Sequence, residues 1–125
     1  MLKNYVISLA HHSKRQSHIQ QEFAKQHIPF TFFSAVTPDK NTQVAQRLAI
    51  DITKSVSSDT EIACFLSHAS LWQRCLDENL DYIGIYEDDV FLGQQFEQLI
   101  RQTDVFQSQT IDILKLEKVS PRVHL

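Results

Sequence analysis

Short apolar runs alternate along the chain with longer stretches of helical period. Tyr5 to Leu9 is compact and apolar and predicts a first strand. After a polar loop from His11 to Lys14, a helix is expected over about Arg15 to His27, with Ile19 and Phe23 inward and Pro29 as its stop. Phe30 to Val36, rich in aromatic and β-branched residues, reads as a second strand. Pro38 to Asn41 is a turn, and Thr42 to Ile50 is expected to be helical through Val44 and Leu48.

The clearest helix follows the polar break from Ser57 to Thr60. Ser58 and Glu61 have capping-box spacing, and Ile62, Phe65, Leu66, Ala69, Trp72 and Leu76 trace a stripe. Trp72 on that stripe reads as core. Asn79 to Asp81 ends the helix, and a strand runs from Tyr82 to Glu87, with Tyr86 as strand packing. Phe96, Leu99 and Ile100 imply another helix, and Ile111 to Leu116 a last strand. Strands alternating with helices imply an α/β domain with a mainly parallel, doubly wound sheet. Only nine residues follow that last strand, where such a domain would ordinarily continue.

Composition adds limits. The 125 residues suit one domain, 42% hydrophobic content fits a globular core, and 2 Gly with 3 Pro argue against a linker-rich chain. Net charge is −3, which gives no case for nucleic acid. Residues 1–60 carry seven Lys/Arg against four Asp/Glu, a balance of +3; residues 61–125 carry five against eleven, a balance of −6. The basic excess of the first half would favour peripheral contact with an anionic membrane surface.

Cys64 and Cys75 lie on one expected helix, roughly 16 Å apart along its axis, too far for a disulfide. They read as reduced, packed thiols of a cytoplasmic protein, in no metal-type cysteine spacing. The opening residues hold too short an apolar run for a signal peptide, and no segment is long enough to span a membrane. His11, His12, His18 and His27 match no zinc pattern.

The densest candidate chemistry is Glu87-Asp88-Asp89, delivered at the end of an apolar strand. Ligand groups in open α/β sheets gather beyond the carboxyl ends of strands. Three adjacent acids repel one another unless a cation, a base or water offsets them. Mg²⁺ or Mn²⁺, which prefer oxygen ligands, would do so and could grip a diphosphate. The plain alternative is a solvated acidic turn.

Four stretches together resemble glycosyltransferase family 25, the bacterial lipooligosaccharide galactosyltransferase type. They are Asn4-Tyr-Val-Ile-Ser-Leu9 with Arg15; Phe33-Ser-Ala-Val36; Glu61-Ile-Ala-Cys-Phe-Leu-Ser-His68 with Trp72; and Tyr86-Glu-Asp-Asp-Val90, echoed by Asp112-Ile-Leu-Lys-Leu116. Ala63 stands where the family usually has Gly, and family members are expected to continue well past residue 125. The resemblance implies a GT-A-like (Rossmann-like) fold, truncated here. It also implies one donor domain over residues 1–125, which would transfer a sugar, commonly galactose, from a UDP-sugar to a lipooligosaccharide acceptor. Glu87, Asp88 and Asp89 would act as the Asp-x-Asp element, with Asp89 foremost and Glu87 beside it as metal ligands, and Glu87 or Asp88 on ribose or a metal-bound water.

The remaining candidates carry two readings each. Arg15 could reach the diphosphate or merely open a helix. Glu61 serves as cap, ligand or both. His68, with Ser67 beside it, would contact donor phosphate or sugar, or else sit half-buried against a neighbour. Ser8, Leu9, Ala35 and Val36 stand at strand ends, where a nucleotide base could lie or ordinary packing suffice. Inversion at the anomeric carbon would need a base near the acceptor hydroxyl; Asp88 and Asp112 are candidates by proximity, and the carboxylate could equally lie beyond this chain.

Two rivals stand beside the transferase. One is a catalytically inactive nucleotide-sugar binder or subunit-association protein, self-associating through an apolar edge near Ile111 to Leu116. The other is a metal-dependent phosphatase or nuclease, which no Gly-rich phosphate loop supports.

Overall fold

The computed structural model describes residues 2–102 and 112–116. Its elements run β1 (Lys3–Ser8), α1 (Ser13–Lys25), β2 (Thr31–Ser34), a 3₁₀ turn (Pro38–Lys40), α2 (Asn41–Arg47), α3 (Asp59–Asp77), β3 (Ile83–Glu87) and α4 (Phe96–Arg101). The sheet is parallel, in the order β2-β1-β3. This is the expected α/β architecture with flanking helices, and its order matches the start of a doubly wound sheet.

Strand alternation assigns the two faces. Val6 stands opposite Phe32 and Tyr86 in register and packs on α1 through Ile19 and Phe23, with Ile100 of α4 in the same cluster. Phe23 and Tyr86 meet edge to face at 5.1 Å. Tyr5 and Phe33 point the other way, under α3, where the Arg74 guanidinium lies 5.4 Å and 5.3 Å from their ring centroids. A second cluster joins Val44 and Ala45 of α2 to Leu66 of α3.

Between β1 and β3 the packing is close at Gly84. A Cβ there would collide with the Asn4 side-chain oxygen, which accepts a 2.9 Å hydrogen bond from the Tyr86 hydroxyl. Tyr86 is thus strand packing with its polar tip satisfied, and burial pushes its pKa well above the ordinary phenol value.

Helix ends follow local chemistry. The Ser58–Glu61 capping box forms in both directions, Glu61 N–H to Ser58 Oγ at 3.2 Å and Ser58 N–H to Glu61 Oε1 at 3.3 Å. Helices α1, α2 and α3 are each followed by a left-handed residue, His27, Ala49 and Asn79. In each case the next residue's N–H reaches back five positions, as Ile28 does to Phe23, Ile50 to Ala45 and Leu80 to Cys75. The first helix therefore starts at Ser13, earlier than Arg15, and stops before Pro29 is reached.

Several expectations are corrected. On α3 the buried residues are Ala63, Leu66, Ser67, Ala69 and Leu71, so the inner face is rotated from the expected stripe. Small side chains at 63 and 67 face inward, while Phe65, Trp72 and Leu76 are 45%, 44% and 74% exposed. Trp72 is therefore not core. Cys64 is exposed, not a packed thiol, whereas Cys75 is half-buried and gives a weak hydrogen bond to Leu80 O. Asp112 to Leu116 form no strand, and Ile113, Leu114 and Leu116 are exposed; Ile111 and residues 117–125 lie outside the described residues. No described helix is long and apolar enough to cross a membrane.

Candidate functional site at the ends of β1 and β3

The parallel register sets the carboxyl ends of β1 and β3 side by side, with Ile7 opposite Glu87. In a sheet of order 2-1-3 this is the crevice where ligands gather. The three acids do not act there as one cluster. Glu87 ends β3 while Asp88 and Asp89 lie in the turn beyond it, and Glu87 and Asp88 face opposite sides.

Glu87 shares the face of Tyr5 and Ile7 and turns towards α3. Its Oε1 lies 3.9 Å from both Cys64 Sγ and His68 Nε2. Asp88 turns to the α1 face and is buried. Its Oδ2 accepts a 2.8 Å hydrogen bond from Ser8 Oγ, and its Oδ1 a 3.1 Å charge-assisted bond from Arg15 Nη1. Asp89 is exposed, with no hydrogen-bond or ion-pair partner among the described residues.

Helix α1 also holds the loop that follows. One of its faces supplies Arg15 to Asp88, His18 Nε2 to Val90 O at 2.8 Å, and Glu22 Oε2 to the Leu92 N–H at 3.3 Å. Glu22 thus anchors the loop and is not paired with Arg15. Gln16 adds bonds of 3.4 Å to Ser8 Oγ and 3.3 Å to Leu9 O.

The second strand end is tied to α3. Ala35 N–H continues the ladder to Ser8 O at 3.0 Å. Val36 N–H donates to Ser67 Oγ at 2.9 Å, and the Ser67 hydroxyl donates to Ala63 O at 2.9 Å. Ser67 is 1% exposed, so its hydroxyl joins two elements and does not face the crevice. His68 is half-buried and open towards Glu87, with the Trp72 ring 6.4 Å away. Glu61 is exposed and serves as the α3 cap. Asp112 is exposed.

Ser8, Leu9, Arg15, Glu87 and Asp88 are thus brought to one crevice, His68 borders it on the α3 side, and Asp89 extends from its rim. What the sequence reading missed is Cys64. Its spacing of four from His68 places both on one helical face, and only the position of β3 brings Glu87 to them. Partial burial, with Glu87 beside it, raises the Cys64 thiol pKa.

Oxygen donors suited to a hard cation are available at Glu87 and Asp89, whereas both Asp88 oxygens are engaged. Two carboxylates with water and diphosphate completing the shell match the donor preference of Mg²⁺ or Mn²⁺, so the residues fit such an ion.

A family model described as glycosyltransferase family 25 (LPS biosynthesis protein) matches residues 1–124. A Haemophilus influenzae protein named putative glycosyltransferase is 46% identical over 117 residues, covering 91% of this chain and 41% of its own. The lipooligosaccharide biosynthesis protein lic2B of Haemophilus influenzae is 42% identical over 114 residues, covering 82% and 43%. The lacto-N-neotetraose biosynthesis glycosyltransferase LgtE of Neisseria meningitidis is 36% identical over 128 residues, covering 98% and 46%. The chain spans less than half the length of these relatives.

Proposed function

The chain belongs to glycosyltransferase family 25, and from that premise we propose that it forms the donor-binding part of a glycosyltransferase of lipooligosaccharide synthesis. The donor is a UDP-sugar, with UDP-galactose first, and the acceptor a growing lipooligosaccharide. The observation that carries the reading is the crevice between β1 and β3, where Asp88 is fixed by Ser8 and Arg15 while Glu87 and Asp89 stay open.

Asp89 and Glu87 would hold Mn²⁺ or Mg²⁺, and such an ion would supply positive charge to offset that of a diphosphate leaving group. Asp88 keeps the strand end rigid and holds Arg15 at the crevice, where the rest of its guanidinium is free to reach a phosphate oxygen. His68 borders the same site and would donate to phosphate or sugar. Ser8, Leu9, Ala35 and Val36 frame the base side through backbone. Ser67 and Glu61 support this frame by fixing β2 to α3 and by capping α3. Neither Asp88 nor Asp112 is assigned as the catalytic base: the first has both oxygens engaged, and the second lies outside the crevice elements.

The test is calorimetric titration of the folded 125-residue chain with UDP, with and without Mn²⁺. Binding is expected to require Mn²⁺ and to fall at least about tenfold in Asp89→Asn, as loss of a charged ligand would produce. Metal-independent binding would overturn the metal assignment, and absence of binding would overturn the donor site. UDP binding without sugar transfer to any acceptor would favour the inactive binder.

A further inference from the structure

Cys64 and His68 stand four apart on α3, and Glu87 ends β3 beneath them. One ligand atom from each, a sulfur, a nitrogen and an oxygen, lies within 4.8 Å of the other two. Both distances to Glu87 Oε1 are 3.9 Å. A tetrahedral zinc ion, with bonds of about 2.3 Å to sulfur and about 2.0 Å to nitrogen and oxygen, sets its donors about 3.3–3.6 Å apart. Rotamer adjustments of up to about 1.2 Å separate the observed arrangement from that geometry.

Among the described residues, the contacts these three side chains make are too weak to compete with a metal. The Cys64–Glu87 approach is a weak thiol hydrogen bond, and the His68–Glu87 pair is at the outer limit of an ion pair. Cys64 and Glu87 are exposed and His68 is half-buried, so an ion has a path in. The Trp72 ring gives the histidine side an apolar border.

We propose that Cys64, His68 and Glu87 form a binding site for a thiophilic divalent cation, Zn²⁺ first, with the fourth coordination position open. The thiol proton passes to solvent as the sulfur–metal bond forms. Sulfur and imidazole donors select against Mg²⁺ and Mn²⁺, so this site is chemically distinct from the oxygen pair Glu87 and Asp89. Glu87 is common to both. Occupancy by zinc therefore withdraws one carboxylate from the hard-cation pair and makes zinc an antagonist of donor binding.

The probe is Co²⁺ titrated into the reduced chain without nucleotide, followed by displacement with Zn²⁺. A thiolate-to-cobalt charge-transfer band is expected, together with the intense visible bands of tetrahedral cobalt. Both should be lost when Zn²⁺ is added. Cys64→Ser should remove the charge-transfer band, Cys75→Ser should retain it, and His68→Ala and Glu87→Gln should each weaken cobalt binding about tenfold or more. Far-ultraviolet circular dichroism checks that each variant is folded. A folded chain without the band, or a band that survives Cys64→Ser, overturns the proposal. Because no nucleotide is present, failure here is separate from failure of the UDP titration, and Asp89→Asn should leave the cobalt spectrum unchanged.

Discussion

The Ser8 hydroxyl donates to Asp88 Oδ2 at 2.8 Å, joining the ends of β1 and β3 across 80 residues of sequence. Asp88 is 6% exposed and its other oxygen receives Arg15, so one ion pair and one hydroxyl hydrogen bond support a buried carboxylate. Asp88→Ala removes both, leaving Ser8 Oγ with its 3.4 Å approach to Leu9 O and the bond it accepts from Gln16. A loss of about 1–3 kcal/mol in unfolding free energy is expected from urea titration at unchanged slope. Arg15→Ala, which leaves the Ser8 bond and acts on a guanidinium in contact with water, should cost less than Asp88→Ala.

Ser67→Ala tests a different link. The substitution leaves the Val36 N–H without its acceptor, while Val36 itself stays packed against Val44, Ala45 and Leu66. The expected cost is about 1–3 kcal/mol, with hydrogen exchange at Val36 rising more than at Val6. An unchanged exchange rate at Val36 would count against this link.

Alkaline pH should weaken the fold through Tyr86. Its folded pKa is raised by burial above the unfolded value of about 10, so folded chains hold the proton more tightly. The contribution is fully present below about pH 10 and is lost as pH rises through the folded pKa. Urea midpoints measured from pH 8 to pH 11 should therefore fall, and less steeply in Tyr86→Phe. The variant also loses the bond to Asn4, so its stability at pH 8 should be lower by about 0.5–1.5 kcal/mol. Cys64 and Cys75 have raised pKa values and act in the same direction, so the slope difference between the two proteins isolates Tyr86.

The helix stops offer a gain. Ala49 sits at φ 56° after α2, a left-handed conformation that costs a residue with a Cβ about 1–2 kcal/mol. Ala49→Gly relieves that strain at an entropic cost of about 0.5–1 kcal/mol. A net stabilisation of roughly 0.5 kcal/mol should appear as a higher melting temperature. The same replacement at a regular helix position, Ala69→Gly, should lower it.

Much of this fold could be read from the chain. Short apolar runs placed β1 and β3, and Ser58 with Glu61 located the start of α3, because capping and apolar runs are local properties. Trp72 was misplaced because large apolar residues were weighed above small ones. Ala63 and Ser67 face inward because small side chains allow α3 to approach, and Ser67 has a tertiary hydrogen bond to gain. The Ile111 to Leu116 run resembled a strand by composition, but Asp112 to Leu116 form none. The acids Glu87 to Asp89 were legible at a strand end because an apolar run stops there. Cys64 escaped notice because its spacing to His68 acquires meaning only when a third group arrives from β3.

Glu87 and Asp88 illustrate how position overrides chemical kind. They are adjacent acids, yet one answers to α3 and the other to α1. Deleting a single residue within Ile83 to Tyr86 would shift the parity of everything after it. Asp88 would inherit the place beside Cys64 and His68, Glu87 would fall in the buried Tyr86 place opposite Val6, and Asp89 would stand before Ser8 and Arg15. The count of acids would be untouched, yet one carboxylate would be forced into the apolar cluster that Tyr86 now fills. Exchanging the two, Glu87→Asp with Asp88→Glu, preserves composition and charge but gives each partner set a carboxylate of the wrong reach. The order of the letters, more than their number, is what this crevice inherits.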